Sequence, residues 1–138
     1  MQEGLDLVRK SIHRERIETL LSIPDYGTYH ESNCHGTSLY VLYLIAKPKY
    51  YSPKIMEKRI SKEDFFTEPI YEGCLVSFWT KNDRLHHTGV YLGDIEDKEI
   101  IFHQLNYRGK MKLNTIQDYL EWTIPNIELY FHDINKKW

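Results

Sequence analysis

Cysteine is scarce in this 138-residue chain, with Cys34 and Cys74 the only two. They could close at most one disulfide, which a chain of this length does not need in order to fold, so both are expected to be reduced. No C-x-x-C pair is present, which removes the commonest small zinc ribbons and fingers. Long hydrophobic runs are missing as well. None approaches the ~18 residues of a membrane helix, and Met1 to Ile12 alternates charge with Leu and Val instead of forming a signal-peptide core. No membrane span is expected, and the chain reads as cytoplasmic, or as secreted by a route without a visible signal peptide. Net charge is also small, −2 at pH 7. No global field recruits nucleic acid or anionic lipid, and neither is an expected partner.

What is present suits one folded core. Apolar residues make up 41% and charged residues 28%, far from the composition of disordered chains. Residues 1–138 are therefore read as a single domain. Leu5, Val8, Ile12, Ile17, Leu20 and Leu21 recur at helical spacing and predict one amphipathic helix over 5–21, stopped by Pro24. After a polar stretch, GTSLYVLYLIA predicts a buried helix that begins near Cys34 and ends at Lys47-Pro48. Residues 47 to 69 read as a surface excursion with a short helix, anchored by Ile55, Met56, Ile60 and Phe65. From Ile70 the period changes. CLVSFW, HTGVYLG, EIIFHQL and IELYFHDI read as strands, and TIQDYLEW as one short helix between the last two. Helices followed by strands predict an α+β fold in which N-terminal helices pack on a mainly antiparallel sheet.

Cys34 stands where a polar loop becomes an apolar helix. In the first turn of a helix, unpaired backbone N–H groups favour a thiolate and can bind an oxyanion formed in acyl transfer. Gly36, with no side chain, would let a substrate chain approach closely. Such a nucleophile needs a base, and His87 opens a strand that can project it from a sheet facing the helix. Its neighbour His86 is expected on the opposite strand face. A third group must fix the tautomer of the base. His103 lies on the next strand, where a hairpin marked by Gly93-Asp94 and Asp97-Lys98 would bring it near His87. Gln104 is the polar alternative, expected to face away from His103.

In this order the residues resemble the NlpC-type family of bacterial cell-wall endopeptidases. Asn33-Cys34-His35-Gly36 stands where the family has Asp-Cys-Ser-Gly, and Gly73-Cys74-Leu75-Val76-Ser77-Phe78 where it has Gly-Asp-Leu-Val-Phe-Phe. His87-Thr88-Gly89-Val90-Tyr91-Leu92-Gly93 is similar to its His-x-Gly-Ile-Tyr-Leu-Gly strand. The likeness spans roughly residues 25 to 122. It implies a papain-like core and a cysteine peptidase or amidase with a Cys34-His87-His103 triad. No cofactor or metal is implied. It further implies that Tyr26 or Tyr29 serves the cleft, and that the substrate is a peptide or cell-wall fragment, such as one with a γ-D-glutamyl to diamino acid bond. Asn33, His35 and Cys74 depart from the family pattern beside the nucleophile and on the following strand.

Two other readings stay open. The same three residues could pass the acyl group to an amine, as in transglutaminases, or deamidate a protein glutamine. Cys34, His35, His86, His87 and His103 could instead form a metal-binding or redox-sensing site without catalysis.

Overall fold

The N-terminal apolar pattern cannot be buried by one straight helix. Val8 and Ile17 are nine residues apart, roughly two and a half turns, so a continuous helix would turn them to opposite faces. In the computed structural model, which describes residues 2–22, 32–60, 65–105 and 109–133, the chain breaks instead. Helix α1 spans Gln2–Lys10 and α2 spans Arg14–Leu21. Between them Ile12 is left in solvent and His13 is buried. Val8, Ile17 and Leu20 then enter one core cluster with Val41, Val90, Leu92 and Phe102. The single helix expected over 5–21 is corrected on this ground, and Pro24 lies outside the described residues.

Helix α3, Cys34–Val41, starts where Asn33 caps it, the Asn33 side chain accepting from Gly36 N at 3.0 Å. It is shorter than the apolar run suggests. Tyr43 takes a left-handed φ of 62°, and the carbonyls of Tyr40 and Ile45 both accept from the Arg16 guanidinium at 2.7 Å. Chain ends that an α-helix would leave open are thus closed by an arginine from α2. Helix α4, Pro53–Arg59, begins at Ser52 with proline in its first turn. Met56 and Ile60 enter the core beside Leu39, Leu75, Trp79 and Leu85, whereas Ile55 and Phe65 stay exposed. Half of the expected anchors hold this segment down.

The α+β class expected from sequence is what the structure has. Five strands, β1 Leu75–Trp79, β2 Leu85–Ile95, β3 Lys98–Gln104, β4 Met111–Thr115 and β5 Glu128–His132, form an antiparallel sheet in the order β4-β3-β2-β1-β5. Strand β1, flanked by β2 and β5, is buried throughout, Ser77 included. Strand β4 is not among the strands expected from sequence, because MKLNT carries only two apolar residues, Met111 and Leu113, and lies at the sheet edge. The β2–β3 turn falls on Glu96-Asp97, both at positive φ, as a tight hairpin demands. Gly93 sits inside β2 at φ 133°, where the register with β3 shifts. Helix α5, Ile116–Trp122, starts at Thr115, whose side chain accepts from Asp118 N. It lays Ile116 and Tyr119 on the face of Cys74, Val76, Phe78 and Ile101.

Candidate functional site

Strand alternation divides β2 between two faces. Gly89 lies against Cβ of His103 on the α5 face, while Thr88 faces α3 and its hydroxyl meets Nδ1 of His35 at 2.9 Å. His87, two residues before Gly89, shares the α5 face and packs on Phe78 and Tyr119. It does not face α3, as expected, but both it and Cys34 line one open cleft of about 540 Å³. His86, Leu105, Tyr119, Trp122, Thr123 and Ile124 complete the described lining.

The expectation that His86 and His87 part to opposite sides also needs correction. Phe78 pairs with His87 and Trp79 with Leu85, so His86 is the extra residue of a β-bulge. Both histidines reach the cleft. His87 is buried and His86 exposed, with Nε2 of His86 2.9 Å from the Thr123 hydroxyl.

His87 is held by a relay. Its Nε2 lies 2.8 Å from Nδ1 of His103, and Nε2 of His103 lies 2.8 Å from Oδ1 of Asn114 on β4. The amide oxygen can only accept, so His103 donates from Nε2 and keeps a lone pair on Nδ1. His87 must then donate from Nε2, which leaves its own Nδ1 as the basic atom. Tyr119 fixes the plane of the ring, stacked on His87 at 4.7 Å between centroids and edge-on to His103 at 5.3 Å. Gln104, on the opposite face of β3, accepts from the Thr37 hydroxyl at 2.6 Å and donates to Gly109 O, away from His103 as expected.

The ring nitrogen that meets the thiol is another one. Nδ1 of His35 lies 3.6 Å from Sγ of Cys34, and among the described residues no hydrogen bond joins Sγ to His87. Burial lifts the Cys34 thiol above its ordinary pKa, opposed by hydrogen bonds from Thr88 and from the backbone of His35 and of Cys34 itself. Burial pushes His35 down to about 4 and His103 down to about 4. His87 falls well below its ordinary value through burial and the neighbouring imidazoles of His103, His35 and His86. At rest, then, the site holds a neutral thiol among neutral imidazoles. Such a site suits nucleophilic attack in which the base takes the thiol proton as the bond forms.

Gly36 serves another purpose than the one its sequence position suggests. Its N–H is taken by Asn33, and a Cβ there would collide with the carbonyl oxygen of Lys49. The missing side chain makes room for the protein's own backbone. Tyr26 and Tyr29 lie outside the described residues. Cys74 is a free, fully buried thiol in the core cluster under α5. Among the described residues no group of three or more His, Cys, Asp or Glu is arranged to hold a metal ion. No described helix is long and apolar enough to cross a membrane.

Sequence reasoning missed Tyr119, Asn114 and Thr88. The signal for Tyr119 lay in TIQDYLEW, where Ile116, Tyr119 and Leu120 stand at helical spacing, whereas Asn114 carried no signal because its strand was not recognised. Thr88 stood inside a motif read for its neighbours. Comparison of the chain with protein-family models, curated proteins and solved structures finds no match.

Proposed function

We propose that the chain is a cysteine hydrolase of amide bonds on a papain-like core, with Cys34 as nucleophile, His87 as its base and His103 as the residue that orients the base. The observation that carries this reading is the relay His87–His103–Asn114, which leaves one basic nitrogen on a residue lining the same cleft as the thiol. In the proposed reaction Nδ1 of His87 accepts the Cys34 proton as sulfur adds to the amide carbonyl. The C–N bond then breaks, the amine leaves with the proton from His87, and a thioester remains. Water, giving its proton to the same nitrogen, adds to the thioester and releases the acid and the thiol. The amide nitrogen of a helix start and the N–H of Thr88 lie near enough to the sulfur to lower its pKa, and groups of this kind stabilise an oxyanion.

The likeness to NlpC-type endopeptidases makes a cell-wall-type peptide the first substrate to offer. Peptidoglycan fragments incubated with the wild-type chain and with Cys34→Ala, then compared by mass spectrometry, test the reading. Cleavage by the wild type alone supports it, and equal products from both proteins would remove Cys34 as the nucleophile.

A further inference from the structure

Half of the described cleft lining is apolar or aromatic, since Leu105, Tyr119, Trp122 and Ile124 stand beside Cys34, His86, His87 and Thr123. Two of these are large side chains left in water, Trp122 at 60% exposure and Ile124 at 46%. The segment that carries them is tied down. Thr123 N donates to Tyr119 O at 3.0 Å, and the Thr123 hydroxyl meets His86 on β2 and the Tyr119 hydroxyl at 3.4 Å. Apolar surface held in place around a cleft gains free energy when a ligand removes it from water. A carboxylate or ammonium group set against the same surface loses hydration without a charged partner among the described lining residues.

We infer that the substrate group next to the scissile amide is uncharged and apolar, aliphatic or aromatic, and seats against Trp122 and Ile124. The inference rests on the reading of Cys34 as a nucleophile that opens onto this cleft. It turns specificity away from bonds flanked by carboxylates, such as γ-D-glutamyl to diamino acid.

Alkylation of the thiol tests this without requiring turnover. Four probes share one electrophile: 2-chloroacetamide, its N-hexyl and N-benzyl derivatives, and N-chloroacetylglutamate. In each, the Cys34 sulfur forms an S–C bond as C–Cl breaks, chloride departs, and the thiol proton passes to a ring nitrogen or to buffer. Rates are read by intact mass, with the site confirmed by peptide mapping. The N-hexyl or N-benzyl probe should react with Cys34 about ten-fold faster than the parent, the faster of the two showing whether the group is aliphatic or aromatic. The glutamate probe should show no gain. The ratio of apolar to parent rate should approach one in the Trp122→Ser/Ile124→Ser variant and persist in Trp122→Phe. A glutamate probe as fast as the apolar ones, or a ratio that survives the double substitution, would overturn the inference. Failure of the parent probe to reach Cys34 in the folded chain would instead sink the nucleophile, and the inference with it.

Discussion

The sulfur of Cys34 and Nδ1 of its chain neighbour His35 lie 3.6 Å apart. The imidazole in contact with the thiol is thus not that of His87, which only lines the same cleft, and the two rings have different supports. His35 leans on a threonine hydroxyl, whereas His87 is backed by a relay that fixes its tautomer.

That difference predicts a ranking. On one amide substrate, His87→Ala should lower turnover by roughly 10²- to 10⁴-fold, the range for loss of a general base. His35→Ala should cost about ten-fold by loosening the thiol, and His86→Ala little. A larger loss in His35→Ala than in His87→Ala would make His35 the base.

The two thiols should differ in access more than in acidity. Burial raises both, but Cys34 lines the cleft and Cys74 is fully buried. Iodoacetamide at neutral pH should label Cys34 first, slowly compared with a free thiol and faster as pH rises. Cys74 should react only when the chain unfolds. Earlier labelling of Cys74, read by peptide mapping, would contradict this order.

His103 needs only to accept one hydrogen bond from His87. Asn can offer an oxygen to the same donor, so His103→Asn should retain more turnover than His103→Ala, and both more than Cys34→Ala. Asn114→Ala should lower turnover less than His103→Ala, because it frees the tautomer of His103 without removing the ring. Equal activity of wild type and His103→Ala would leave His87 without an orienting partner.

Acid should weaken the fold. In the unfolded chain these histidines bind protons near pH 6.5, whereas His35 and His103 resist until about pH 4. Between those values the unfolded state holds more protons, so stability falls as pH falls. Each of the two buried rings costs on the order of 3 kcal/mol by pH 4. His13 and His87, also lowered by burial, add in the same direction. Urea midpoints should therefore drop from pH 7 to pH 4.5, and a midpoint that stayed level would mean that a charged imidazole is already present in the fold.

Periodicity in the chain determined much of this protein. The short runs CLVSFW, HTGVYLG and EIIFHQL, rich in β-branched and aromatic residues and parted by charged turns, specified three adjacent strands. They put His87 and His103 on neighbouring antiparallel strands, and the fold sets Nε2 of His87 2.8 Å from Nδ1 of His103. The position of Cys34 at a helix start was equally legible, since Asn33 is a capping residue before an apolar run.

Tertiary structure decided what local pattern could not. The break at Ser11 to His13 exists because Val8 and Ile17 must reach one core, a demand set by the sheet and not by either residue. The β-bulge at His86 exists only in the pairing of β2 with β1, so one strand alone could not reveal that both histidines reach the cleft. Gly36 looked open to a ligand until packing placed the Lys49 carbonyl against it. Asn114 joined the relay only through pairing of β3 with β4, whose residues Ile101 and Asn114 lie side by side. In each case the deciding contact is with a residue distant in the chain, which spacing along the sequence does not encode.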